Sequence, residues 1–143
     1  MEKRVSLGAW GEEEACVYLV QKHFEILGRN IREPWGELDI VAKSPDRTLV
    51  FVEVKTMRDR GPGHLVPEDQ MGGGKLDRFR RAAALYAGNH PEHVDPRRGW
   101  RLDVLALTVP SDWEPGEPGR LLRVLNGLFR DRSAVNFRHY ENV

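Results

Sequence analysis

A single cysteine, Cys16, is the only thiol in the chain, so no internal disulfide framework can form. Also missing is any uninterrupted apolar run near the roughly 18 residues that a membrane-spanning helix needs. The N-terminal stretch MEKRVSLGAWGEEEA has no apolar h-region and carries Glu12, Glu13 and Glu14, so it does not read as a signal peptide. Net charge is absent too: 22 Lys and Arg face 22 Asp and Glu. That balance excludes polybasic binding through the overall field, while leaving room for a basic patch beside an acidic one. No repeat and no low-complexity segment interrupts the sequence. No P-loop is present, because Gly72–Lys75 (GGGK) is followed by Leu76 instead of Ser or Thr, and the upstream glycine is missing. Nor is there a Ser/His or Cys/His arrangement for a small-molecule hydrolase. These absences point to a cytoplasmic protein with no membrane partner.

What is present suits one globular domain: 143 residues, 40% hydrophobic and 31% charged. Leu7 to Lys22 reads as a helix, with Glu12–Glu14 toward its start and Lys22 at its close, an order that suits the helix dipole. Short strands are expected over Phe24–Ile31, Glu37–Lys43, Thr48–Lys55 and Trp100–Val109. REPWG and SPDR supply the turns between the first three. Lys75 to Ala87 is a second helix, since Leu76, Phe79, Ala83 and Tyr86 recur at helical spacing. The Gly- and Pro-rich stretch before it reads as a loop. RLLRVLNGLF reads as a last strand or short helix, and residues 131–143 as a C-terminal tail with little to give the core. The order α-β-β-β-α-β makes an α/β domain over residues 1–130, with a central mixed sheet flanked by helices.

The register of the hairpin carries the chemistry. Leu38, Ile40 and Ala42 share one face of their strand, and Val50, Val52 and Val54 share one face of the next. Burying both sets together requires even positions to oppose even ones, because a slip of one residue exchanges the faces. Ile40 then opposes Val52, Asp39 opposes Glu53 and Glu37 opposes Lys55, which demands an odd-numbered turn or a bulge. Carboxylates directly across a ladder repel. A hard divalent cation such as Mg²⁺ or Mn²⁺ between them would relieve this, with Lys55 neutralising charge or activating a water. The alternative is a solvated face with a Glu37–Lys55 ion pair worth about 0–1 kcal/mol.

GELDIVA followed by LVFVEVK resembles the signature of the YraN/UPF0102 family of proposed endonucleases. That family is similar to archaeal Holliday junction resolvases and to the wider PD-(D/E)xK nuclease superfamily. GEEEACVYL, Arg29-Asn30, Lys75 and RLDVLAL extend the resemblance over about Gly8 to Phe129. It implies a restriction-endonuclease-like fold and metal-dependent hydrolysis of phosphodiester bonds in DNA, with branched or structured DNA such as Holliday junctions as substrate. By position it implies Asp39, Glu53 and Glu12 as metal ligands for Mg²⁺ or Mn²⁺, Lys55 as the catalytic lysine, and Lys75 as part of the pattern. Lys75 and Arg78 are the substrate-binding candidates at the start of the second helix. Paired symmetric cuts need two sites, so the resemblance also implies a homodimer. Leu38 stands where the superfamily motif has proline, and Glu37 belongs to the family signature. The competing expectation is a non-catalytic nucleic-acid-binding or assembly protein that keeps the nuclease fold. Asp103, Cys16, the His90/His93 pair and the four tryptophans read as structural.

Overall fold

The structure, a computed structural model, describes residues 6–62, 72–113 and 135–143. Helix α1 (Leu7–Gln21) is followed by strands β1 (Glu25–Glu33), β2 (Gly36–Lys43) and β3 (Leu49–Arg58). Helix α2 (Gly73–Asn89), a 3-10 turn at Pro91–His93, and strands β4 (Trp100–Val109) and β5 (Asn136–Tyr140) complete it. The five strands lie side by side in chain order. Only the β3–β4 pair is parallel, and the other three pairs are antiparallel. This is an α/β domain with a mixed sheet between two helices, compatible with a restriction-endonuclease-like fold. Among the described residues no helix is long and apolar enough to cross a membrane.

Both faces of the sheet are buried. Ile40, Ala42, Val50, Val52, Leu105 and Leu107 pack with Trp10, Ala15, Cys16 and Leu19 of α1. Val41, Leu49, Phe51 and Leu102 pack with Phe79, Ala82, Ala83 and Tyr86 of α2. β3 reads as a near-continuous apolar run because it sits between these two layers. The expected parity holds in the ladder, where Ile40 faces Val52 and Ala42 faces Val50. The turn is the five-residue Ser44–Thr48, between the paired Lys43 and Leu49. Asp46 fastens it by accepting from the Ser44 hydroxyl and from the hydroxyl and N–H of Thr48. Those bonds hold its carboxyl down at about 2.

Three expectations need correction. Leu38 packs on the α2 side, not with Ile40 on the α1 side. The change of side coincides with Asn30 on β1, whose φ of 49° puts it in the left-handed region between the pairs Arg29–Ile40 and Ile31–Leu38. The dipole argument for α1 also fails, because its first turn holds no acid and its last no base. Its start is fixed by Ser6, whose side chain accepts from the Ala9 N–H at 3.1 Å. Finally, the segment read as a tail supplies β5, which pairs with Val104–Thr108 of β4 and packs Phe137 against the core. The stretch expected as a last strand or helix, RLLRVLNGLF, lies outside the described residues.

Helix α1 reaches the sheet through Gly11. A Cβ there would stand 1.9 Å from Thr56 Oγ1 and 3.0 Å from Thr56 Cβ. Gly11→Ala should therefore push the helix off β3 and cost about 1–3 kcal/mol in urea unfolding, as overpacked sites do. Adding Thr56→Ala should recover part of that loss. A Gly11→Ala protein as stable as wild type would show that the approach is not tight.

The remaining structural readings hold. Cys16 is core. His90 and His93 are taken up by Tyr86: His90 stacks on its ring at 4.0 Å, and His93 Nδ1 lies 2.9 Å from its hydroxyl. Asp103 is wholly buried and bound to Arg101, His139 and the Asn142 N–H. Of the tryptophans, Trp10 packs against Trp113 and Trp100 against Phe51, but Trp35 is exposed.

Candidate active site

The sheet forks where the acids sit. β3 stays paired with β4 from Leu49 to Arg58, whereas its ladder with β2 stops at Ile40–Val52. Beyond that point β2 remains with β1 as far as Gly36. The N–H of Val54, left without a β2 carbonyl, donates instead to Asp39 Oδ2 at 2.9 Å. A carboxylate thus replaces a rung of the ladder and lies close enough to Glu53 to feel its charge. Burial pushes the Asp39 carboxyl up to about 7, and the charge of Glu53 adds to this. The Val54 N–H and the Lys55 ammonium pull the other way.

Lys55 Nζ lies 3.1 Å from Glu53 Oε1, and both side chains are largely covered, at 17% and 18% exposure. Lys55 therefore pairs with its own strand neighbour, not with Glu37 across the fork as the register had suggested. Glu37 still lines the same open cleft, a space of ≈ 420 Å³ that also holds Trp35, Asp39, Glu53, Lys55, Lys75 and Arg78. The two cations come from the first turns of α2, so the helix that covers one face of the sheet also delivers positive charge to its acidic fork. Asp39, Glu53, Lys75 and Arg78 all line this one cleft.

Glu12 approaches from the other side, on α1. Burial raises its pKa, then the charge of Asp39, with Glu37 a smaller cause. A hydrogen bond from Asn30 and the charge of Arg29 oppose this. Arg29 is itself anchored to Glu13 at 2.6 Å. Sequence reasoning did not give Asn30 a role. Its signal was an asparagine inside a strand, a residue type that tolerates the left-handed conformation. Trp35 was also missed as a cleft residue, although its place beside Pro34 in a turn argued for exposure.

The donor set suits a hard divalent cation. Asp39 and Glu53 present carboxylate oxygens at a point of excess negative charge, and Mg²⁺ is commonly held by one or two carboxylates with water or phosphate completing its shell. Among the described residues no group of three His, Cys, Asp or Glu side chains converges tightly enough to cage a metal by itself. Glu12 therefore stands behind the Asp39–Glu53 pair and does not close a ring with it.

A family model described as "Uncharacterised protein family UPF0102" matches residues 11–107, which span the fork, most of α1 and all of α2. A UPF0102 protein of Syntrophotalea carbinolica is 45% identical over 111 residues, covering 77% of this chain and 85% of that protein. One from Corynebacterium efficiens is 37% identical over 127 residues, covering 88% and 93%. Another, from Roseiflexus castenholzii, is 37% identical over 107 residues, covering 75% and 82%.

Proposed function

This chain belongs to the UPF0102 family, and from the chemistry of its cleft we propose that it is a divalent-cation-dependent endonuclease hydrolysing phosphodiester bonds in DNA. Branched or structured DNA, such as a Holliday junction, is the substrate class in this reading. The observation that carries it is Asp39 held against Glu53 at the fork, with Lys55 beside them and two cations in the same cleft. Asp39 and Glu53, with Glu12 behind them, are the residues that would hold Mg²⁺ or Mn²⁺. Such an ion, when bound, supplies Lewis acidity at the scissile phosphate.

The chain's own groups do the rest. Lys55, held next to Glu53, donates to the attacking water or to the phosphoryl oxygen on which charge grows. Lys75 and Arg78 bind phosphates of the strand and fix its position in the cleft, contacts that orient without reading sequence. Acting in the cytoplasm as a homodimer, two such sites could make paired cuts. A second reading, a nucleic-acid-binding or assembly protein that keeps the fold, is favoured by the lack of a three-acid cage among the described residues.

The test is incubation with Mg²⁺ or Mn²⁺ and a panel of duplex, single-stranded, flap and four-way-junction DNA. Wild type should cut at least one branched substrate and stop in EDTA, and Asp39→Asn and Glu53→Gln should not cut. Binding without cutting, unaltered in both variants, would support the second reading.

A further inference from the structure

Trp35 lines the cleft but has no part in phosphate hydrolysis. It is 53% exposed, an unusual state for the largest apolar side chain, yet it lines the same space as Asp39, Glu53 and Lys55. Its setting keeps it there. Trp35 and Pro34 form the two-residue turn between the paired Glu33 and Gly36, and proline fixes its own φ. The Arg81 guanidinium lies 5.5 Å from the ring centroid and is itself held by Asp77 at 3.3 Å. A cation on the ring and a stiff turn beneath it present the indole with little freedom left to lose. Such a surface is a stacking platform, because every nucleobase offers a π-face.

Distance makes the platform relevant to the cut. Trp35 and Asp39 line the same cleft and are four residues apart, which separates their Cα atoms by at most about 13 Å at ~3.3 Å per extended residue. That is no more than about four nucleotides at the ~3.4 Å stacked spacing. A base inside a duplex is already stacked on both sides, so only an unpaired one can use the indole.

We propose that Trp35 stacks on an unpaired nucleobase within a few nucleotides of the phosphate held at Asp39 and Glu53, selecting DNA with an unpaired base over continuous duplex. The inference rests on the nucleic-acid reading of the cleft and names the structural class that the cleft would choose. Lys75 and Arg78 hold any strand, whereas Trp35 discriminates.

Binding of fluorescein-labelled oligonucleotides by anisotropy in EDTA tests this without relying on cleavage. Base–aromatic stacking is worth about 1–3 kcal/mol by alanine substitution, so Trp35→Ala should weaken binding of single-stranded and flap DNA about 5- to 150-fold. Duplex binding should be unchanged, and Trp35→Phe should keep most of the affinity. An oligonucleotide carrying one abasic site, moved along the strand, should show one position at which wild type binds no better than Trp35→Ala. Equal weakening for duplex and single strand, no weakening, or no sensitive abasic position would overturn the assignment. If wild type shows the Trp35-dependent preference but never cuts in Mg²⁺ or Mn²⁺, stacking stands and the endonuclease reading falls. If wild type cuts and Trp35→Ala cuts single-stranded and duplex DNA in the same ratio, stacking falls and the endonuclease reading stands. Absence of any DNA binding by wild type overturns both.

Discussion

Asp39→Asn is expected to give a protein that no longer cuts DNA and is more stable than wild type above pH 7. The two effects have one cause. Asp39 is half-buried beside Glu53, and its carboxyl is pushed up to about 7. In the unfolded chain it titrates near its ordinary value, about 3.9. Between those limits the folded state keeps a proton that the unfolded state has released, so this group makes stability fall as pH rises from about 4 to 7. Above pH 7 the full cost of burying the charge is present. Asparagine keeps an oxygen to accept from the Val54 N–H and carries no charge, so that cost disappears. A shift of this size corresponds to about 1.36 kcal/mol per unit. The solvent that still reaches Asp39 lowers the total, leaving a gain of about 1–3 kcal/mol at pH 8 and none at pH 4.

Activity should move the opposite way. In the endonuclease reading, loss of a cation-holding carboxylate removes several kcal/mol of transition-state stabilisation, so cleavage should fall at least about 100-fold. Urea unfolding in EDTA at pH 4 and pH 8, run beside the cleavage panel, checks both. Millimolar Mg²⁺ should raise the stability of wild type at pH 8 by occupying the site, and should leave Asp39→Asn unchanged. A destabilised Asp39→Asn at pH 8 would mean that the carboxylate is a structural group. In that case its loss of cleavage would say nothing about chemistry.

The second large effect lies at the far edge of the sheet. Asp103→Ala is expected to cost about 3–5 kcal/mol, the range for breaking a buried ion pair from one side. Asp103 has no exposed surface. Its carboxylate accepts from Arg101 Nε at 3.0 Å and from the Asn142 N–H at 3.0 Å, and His139 Nε2 lies 2.8 Å away. Burial alone would raise its pKa, but the bonds from His139, Asn142 and Arg101 outweigh burial and hold it below the ordinary value. The stability it contributes is therefore present above about pH 4 and is lost as pH falls through the lowered pKa. Alanine leaves the Arg101 guanidinium with Glu141 at 3.9 Å and the His139 imidazole with the Tyr18 hydroxyl at 3.5 Å, longer contacts for two groups that are both mostly covered. Because His139 and Asn142 belong to β5 and the residues just after it, that strand should open first. Hydrogen exchange at the β5 amides should accelerate more than exchange at β2 or β3. If β5 keeps its protection while the midpoint falls, Asp103 supports the core generally and is not the clamp of the last strand.

These two carboxylates were unequally legible. Asp39 could be found because period-two alternation in two adjacent strands leaves only one register that buries the valines, and that register brings Asp39 to Glu53. Asp103 sits in an equally apolar strand, but its partners come from the chain's last residues. That segment looks like a tail because five residues of alternating character, NFRHY, carry little weight alone. Lys75 and Arg78 could be named as basic residues opening a helix, yet nothing local says that this helix lies over the fork. Glu12 illustrates the same limit: only the close approach of Gly11 to Thr56 brings its helix near Asp39.

The sequence by itself determined the element order from α1 to β4, the hairpin register and hence the neighbouring acids, since each follows from side-chain periodicity within a few residues. Tertiary structure alone decided that the ladder stops at Ile40 and Val52, so that a carboxylate takes the place of a rung. It also decided that α2 delivers its cations to that gap, that Trp35 is left standing beside it, and that β5 is locked on through Asp103. These are contacts between residues far apart in the chain. Which of them form depends on how two helices pack on opposite faces of one sheet, and no local pattern encodes that.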